Sequence, residues 1–440
     1  MAGRRGQESA ARSQAPLWLW PAVAAAVAAA AGWALGMVEP RGGFLAALWP
    51  ADTSAAATLL QLVATAAVTI TTLTFSITIV ALQLASQQFS PRLLRDFVRD
   101  GVTKQVLSVL TATFVFAISG LRGVNSSQPV PTLVCLVAAL LGVTSVGALL
   151  SFISHMVRML RVDTMMTRVH DDARRAIETF YGPHTGHGQR SPDELDLDTV
   201  AGRLVTASRS GFVEVVDTDT LVDAARSHDA VVRVEVRPGD LVTVGTPVAT
   251  VWSAGEEIDD AVRTAVVLNN ERTIDQDAGF GFRQLEDIAV KAMSPSINDP
   301  VTAATAIGHM GDLLVRLTSR HLGPTLHDDE DGVGRAIVPD RDMRYYLDLS
   351  CGQVARFGGS EPTLVTALLR MLRDVGVACR DDEQRAEVAR AAELVAGEHS
   401  PEWSPTDTVT VRLHRDQVTA ALEGRLVDAF ADRAGETRSM

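Results

Sequence analysis

Residues 57–85 read ATLLQLVATAAVTITTLTFSITIVALQLA, a run without a single Asp, Glu, Lys or Arg. A helix needs roughly 20 apolar residues to cross the ~30 Å hydrocarbon core of a bilayer, so this stretch is long enough to span one. Its polar residues are ordered. Thr65, Thr69, Thr72 and Ser76 recur at helical spacing, with Thr71, Thr74 and Thr78 beside them and Gln83, Gln87 and Gln88 following. Hydroxyls in a membrane helix bond to their own i−4 carbonyls or across to a neighbouring helix. Thr65, Thr69, Thr72 and Ser76 are therefore candidates either for helix packing or for lining a polar path. No charged residue sits mid-span, which argues against ion-coupled transport, where one is the rule.

Three further apolar runs flank this one, at about residues 17–37, 106–121 and 131–156. Together they predict a four-helix transmembrane domain over 17–156, after a cytoplasmic tail at 1–16. The first run lacks a small-x-small cleavage site and reads as a span, not a signal peptide. Its Gly32 and Gly36 are four apart, a spacing that favours close helix contacts within or between subunits. Orientation follows from the basic residues of short loops. Arg4, Arg5 and Arg12 precede the first run. Only Arg41 lies in 38–56, whereas Arg92, Arg95, Arg99 and Lys104 lie in 86–105. Only Arg122 lies in 122–130, and Arg158, Arg161, Arg168, Arg174 and Arg175 follow the fourth run. The alternation places both termini in the cytoplasm of a bacterial cell, with the spans in its inner membrane. Ser90-Pro91 with Leu93, Leu94, Phe97 and Val98 predicts a short helix on the inner membrane surface.

Charge divides the chain at the same place. Residues 1–156 hold nine Lys/Arg against five Asp/Glu, a net +4, and the remaining 31 basic and 48 acidic residues give −17. An acidic domain repels nucleic acid, so the expected partners are the lipid bilayer, other copies of the chain in a homo-oligomer, and an unidentified small molecule or protein. Three widely spaced cysteines, Cys135, Cys351 and Cys379, make no disulfide framework.

The second part reads as α+β. Residues 157–198 form a polar helix and a loop containing His184 and His187, whose spacing without Cys or acidic neighbours does not predict a metal site. Residues 199–255 carry short β-runs at 203–207, 211–216, 231–236, 241–244 and 247–252, with turn signals at Pro238-Gly239-Asp240 and Gly245-Thr246-Pro247. Residues 236–249 look like half of a biotinyl/lipoyl-type barrel-sandwich hybrid. No Lys occurs between Lys104 and Lys291, so a swinging-arm carrier is excluded and a structural β-module remains. Residues 256–432 read as helical, with helices expected at 345–357, 362–377, 383–396 and 415–431, and 433–440 as a disordered tail.

The densest polar cluster runs from Arg272 to Pro300. Thr273 with Gln276 is a candidate capping box. Leu285, Ile288, Ala289 and Ala292 form an apolar stripe, and Arg283, Asp287 and Lys291 form an i,i+4 ladder. Ser294-Pro295 ends that helix and Asp299-Pro300 starts the next. One account is capping and a surface ladder. The other has Arg272, Gln276, Asp277, Arg283, Asn298 and Asp299 converge into a polar pocket, which makes Arg272, Thr273, Gln276, Asp277, Arg283, Gln284, Asp287, Asn298 and Asp299 the ligand-binding candidates.

The string from Arg272 to Ala303 resembles the bacterial membrane-protein family called domain of unknown function 2254, as does Thr74-Phe75-Ser76 through Phe89-Ser90-Pro91-Arg92. Phe282 stands where that family has an aliphatic residue and Met293 where Leu is usual. The resemblance implies the architecture above and no activity. A Gly-rich phosphate loop, HExxH, a nucleophile elbow and metal-ligand spacing are all missing from the sequence, so neither a catalytic residue nor a cofactor nor a metal is expected. Two roles are favoured: a channel or passive transporter with a cytoplasmic regulatory domain, or a membrane-anchored sensor or scaffold; an enzyme is open only through the polar cluster at 272–299.

Overall fold

The computed structural model describes residues 18–37, 52–88, 101–124, 130, 132–184, 192–195, 197, 201–397 and 403–431. The surface helix expected near 90–100 and the tail at 433–440 lie outside them, as does His187. The described residues divide into two compact units, one from 18 to 165 and the other from 166 to 431. The described residues are mostly helical.

Among the described residues, four helices build the first unit: α1 (Leu19–Gly36), α2 (Thr53–Gln88), α3 (Gly101–Leu121) and α4 (Thr132–Met159). Three of them are long and apolar enough to cross a membrane, over Thr53–Leu84, Gly101–Leu121 and Thr132–Met159; α1 contributes a shorter apolar stretch, Leu19–Leu35. All four meet in one apolar cluster of Ala28, Leu60, Phe116, Val134 and Ala138. A second cluster joins α2, α3 and α4 through Ala81, Val106, Leu110, Phe152 and Met156. Small residues set how closely the helices approach. A Cβ on Gly32 would lie 2.9 Å from Ser119 Cβ and 3.1 Å from the Phe116 carbonyl, so Gly32 serves the contact of α1 with α3 inside one protomer. Deep in the bundle the Ser145 hydroxyl and Thr113 Oγ1 are hydrogen-bonded at 3.0 Å, joining α3 and α4.

In the second unit, α5 (Val162–Phe180) is followed by eight strands in two sheets. The expected β-runs appear as β1 (Arg203–Thr206), β2 (Gly211–Val216), β3 (Val231–Val234), β4 (Leu241–Val242) and β5 (Pro247–Trp252). The remaining strands, β6 (Val266–Asn269), β7 (Thr325–Asp328) and β8 (Gly334–Val338), come from the stretch expected to be helical. One sheet has the order β1-β5-β3-β8-β7 and the other β4-β2-β6. β8 pairs in parallel with β3, and β6 pairs antiparallel with β2. The 199–255 segment is thus completed by strands from beyond it. Four- and five-residue strands carry too few alternations to be told from helix or loop by periodicity. Between β2 and β3 lies an unexpected helix, α6 (Thr218–Ser227), capped by the Asp217 carboxylate. The valine-rich core takes residues from both sheets, among them Val205, Val213, Val232, Val248 and Val266.

The helical part contains α7 (Asp259–Ala265), α8 (Ala278–Ala292), α9 (Pro300–Leu317), α10 (Met343–Gly358), α11 (Pro362–Ala378), α12 (Asp382–Gly397), α13 (Pro405–Leu422) and α14 (Leu426–Ala429). The start of α9 agrees with the sequence reading, and the bounds of α10 to α12 agree with it to within two residues. The last helix does not. It begins at Pro405 under a Ser404/Asp407 capping box and breaks at Gly424, whose φ of 77° ends the turn before α14.

Candidate functional site

α8 starts where the Asp277 carboxylate accepts the Phe280 N–H at 3.2 Å. Asp277 is therefore the cap, and the expected Thr273/Gln276 box does not form. Gln276 turns away instead, its Oε1 accepting the Val216 N–H at 3.0 Å at the end of β2; Thr273 is half-buried nearby in sequence. The Asp277 carboxylate is 1% exposed and held from two sides. Arg272 Nε donates to Oδ2 at 2.6 Å, and Arg341 Nη1, on a side chain 5% exposed, lies 3.3 Å from Oδ1. Arg341 also donates through Nη2 to the Pro238 carbonyl at 2.9 Å. The Arg237–Asp240 turn thus sits directly on the ion pair. Each guanidinium also lies over an aromatic ring at 5.0 Å, Arg272 over Phe280 and Arg341 over Tyr345.

Gly239 makes this contact possible. Its φ is +90°, and a Cβ there would stand 2.0 Å from Asp277 Oδ2 and 2.7 Å from Arg272 Nε. All three tyrosines of the chain gather beside the clasp. The Tyr181 and Tyr346 hydroxyls are hydrogen-bonded at 2.7 Å, and the Tyr345 and Tyr346 rings meet edge to face at 5.4 Å. Asp340 completes the group. Burial, with the Asp277 charge in the same direction, raises its carboxyl to about 6 against the pull of the Arg341 backbone N–H and guanidinium. Its proton is held more tightly in the folded than in the unfolded chain, so stability falls as pH rises from about 4 through 6. Asp340→Asn is expected to remove this slope: wild type and variant should unfold alike near pH 4, with the variant more stable at pH 7. Parallel curves across that range would contradict the assignment.

The other candidates are placed elsewhere. Arg283 Nη1 bonds Glu286 Oε2 at 2.6 Å, one turn along α8, and Glu286 is buried, so Arg283 makes an i,i+3 pair in addition to the i,i+4 spacing expected of it. Gln284 points into the core and Asp287 is half-buried. Asn298 is exposed in the left-handed region at φ 47°, and Asp299 caps α9, its carboxylate accepting the Thr302 N–H at 3.0 Å and hydroxyl at 2.6 Å. These two bonds, the hydroxyl first, hold Asp299 below its ordinary value. Fifteen residues of α8, about 22 Å at ~1.5 Å each, separate the Arg272/Asp277 end from the Asn298/Asp299 corner. The convergent pocket is corrected to two capping sites at opposite ends of one helix. A cleft of about 190 Å³ lies instead beside Ser208, Arg209, Arg263 and Thr264. Arg209 donates there to the Leu268 carbonyl. Sequence reasoning missed Arg341 and the tyrosines because only long-range folding brings them to Asp277. His184 pairs with Asp381 at 3.1 Å. Among the described residues no group of three or more His, Cys, Asp or Glu side chains is arranged for a metal.

On α2, Thr65, Thr69, Thr72 and Ser76 all face outward from the bundle. Thr69 donates to the Thr65 carbonyl at 2.9 Å, Thr72 to Val68 at 3.0 Å and Ser76 to Thr72 at 3.0 Å. Thr74 turns inward and is fully buried, with Thr71 and Thr78 half-buried on the same side. The helix therefore has two hydroxyl faces, one used in packing within the protomer and one left on its surface.

A family model described as a predicted membrane protein, DUF2254, matches residues 14–374. The chain belongs to this family. The uncharacterized protein Rv1290c of Mycobacterium tuberculosis and the uncharacterized protein Mb1321c of Mycobacterium bovis are each 29% identical to it over 395 residues, covering 87% of this chain and 76% of the relative. No solved structure matches. This DUF2254 member is thus a membrane protein by family and by its apolar helices, with relatives that carry no assigned activity.

Proposed function

We propose that this DUF2254 chain is a four-span inner-membrane protein with cytoplasmic termini that forms a passive path for small polar solutes, regulated by its soluble domain. The observation that carries the reading is the outward hydroxyl face of Thr65, Thr69, Thr72 and Ser76 on a helix without charge between Thr53 and Leu84. Thr and Ser offer hydrogen bonds to a passing solute without the cost of a charge in hydrocarbon. α1 supports the fourth span: its 18 residues reach about 27 Å, and it packs in the common apolar cluster of the bundle. The alternation of basic loops supports the orientation. Two sheets over one valine core support a barrel-sandwich-like regulatory module.

The test is solute flux. Proteoliposomes of the full chain are expected to re-swell in glycerol or urea faster than empty liposomes, and Thr69→Leu with Thr72→Leu should return the rate to that of empty liposomes. An unchanged rate in the double variant would remove the lining role. A ligand-sensing role draws support from the cleft beside Arg209 and from a second cleft beside Arg316, Thr318 and Arg380, and not from the clasp at Asp277, which is filled by the chain's own groups.

A further inference from the structure

The outward face of α2 has an order that the protomer does not use. At about 100° per residue, Gln61, Thr65, Thr69, Thr72, Ser76 and Gln83 fall within an arc of roughly 80°. All six are exposed. The buried residues Leu60, Val63, Ala67, Thr74 and Ala81 occupy the opposite side. The polar line therefore runs along the most outward meridian of the helix. Gln61 and Gln83 bracket it, and the 22 steps from one to the other rise about 33 Å, close to the ~30 Å hydrocarbon thickness.

A helix whose outward side meets lipid should be most apolar along that meridian, because acyl chains offer no hydrogen bonds. α4 follows this expectation: Leu140, Val143, Leu150 and Val157 are its most exposed apolar side chains, at 60–72%. α2 inverts it. Its apolar exposed residues lie mostly to the two sides of the polar line, Leu62, Leu73 and Val80 on one flank and Val68 and Phe75 on the other, with Ile79 at the edge of the line itself. The i−4 bonds of Thr69, Thr72 and Ser76 use their protons but leave oxygen lone pairs facing outward. A polar centre between two apolar shoulders is the cross-section of a helix that fronts an aqueous lumen and packs on neighbours to either side.

We propose that the occupant beside α2 is a second copy of this chain, arranged head to tail about an axis along the membrane normal, with the Leu73 flank of one protomer against the Phe75 flank of the next and the Gln61–Gln83 line facing the shared axis. This rests on the passive-path reading and supplies its missing partner. A heterologous contact of two different flanks forms a ring when the rotation between copies closes. A lumen cannot be enclosed by one copy whose polar line is on its outside.

Cysteine cross-linking of the full chain in native membranes tests the arrangement independently of flux. The three native thiols are buried, so wild type serves as the silent background. Leu73→Cys with Phe75→Cys in one chain is expected to give a ladder of oligomers on copper-phenanthroline oxidation. Either substitution alone should give no disulfide product, because each flank meets the other kind. Val143→Cys on α4, facing lipid, should stay monomeric. A dimer from Thr72→Cys alone would overturn the ring in favour of a two-fold seam with the polar lines closed on each other. Monomers throughout would overturn the second copy altogether. A ladder without solute flux would keep the assembly and remove the passive path, whereas flux without a ladder would do the reverse.

Discussion

Asp277→Asn is expected to destabilise the second unit by about 3–5 kcal/mol, the range for breaking a buried ion pair by removing one partner. Asparagine keeps the shape of the side chain and is itself a good helix cap, so the bond to Phe280 N–H survives. What is lost is the charge. Arg341 is 5% exposed and would retain the Pro238 carbonyl at 2.9 Å, the Tyr345 ring at 5.0 Å, the Asp240 carboxylate at 3.7 Å and the longer-range pull of Asp340. A buried guanidinium cannot shed its proton, so the cost cannot be relieved by titration. Arg272→Ala should cost less, because at 22% exposure its charge is already partly met by water. The measurement is urea unfolding of the detergent-purified chain followed through tyrosine absorbance, which reports locally because all three tyrosines surround the clasp. Arg341→Met on top of Asp277→Asn should recover part of the loss, since an uncharged buried pair no longer needs a counter-ion. A loss under about 1 kcal/mol for Asp277→Asn would mean that the clasp is solvated in solution and holds little.

Gly239→Ala carries the second large effect, about 4 kcal/mol, from two separable sources. A non-glycine residue held at a disfavoured positive φ costs on the order of 1–3 kcal/mol. The new methyl would also lie 2.0 Å from Asp277 Oδ2, so either the turn or the ion pair must move, and overpacking of this kind costs about 1–3 kcal/mol more. Gly245→Ala separates the two. Gly245 has φ +85° and no atom within 4 Å of the added carbon, so it reports the backbone cost alone. The same unfolding assay should show Gly239→Ala falling well beyond Gly245→Ala. Equal losses would show that the turn does not press on the clasp.

Both predictions concern a site that the sequence named by one half. Arg272, Gln276 and Asp277 stand out in the string because they precede an amphipathic helix with capping chemistry. Nothing local marks Arg341 as the second arm or Gly239 as the wedge. Each lies in a different connection, Gly239 between β3 and β4 and Arg341 between β8 and α10, and they meet Asp277 only when β8 pairs with β3. The supposed convergence of Asn298 and Asp299 with Arg272 failed for a related reason. Closeness in sequence across a helix is not closeness in space when the helix is 15 residues long.

The sequence by itself determined the features whose interactions are short-range. These are the apolar runs that became α2, α3 and α4, the charge division near residue 156, the first five strands, and the Asp299 cap of α9. Each depends on side-chain patterning within a few residues, where periods of 3.6 and 2 and capping types act directly on the backbone. Tertiary structure alone decided three others. It set the pairing of β6 and β8 with strands far back in the chain. It closed the Asp277 carboxylate between two arginines and a glycine turn. It also chose which side of α2 is buried, turning Thr74 inward and leaving Thr65, Thr69, Thr72 and Ser76 on the surface. Periodicity places residues on a common face, but only packing against α3 and α4 determines which face the bundle takes.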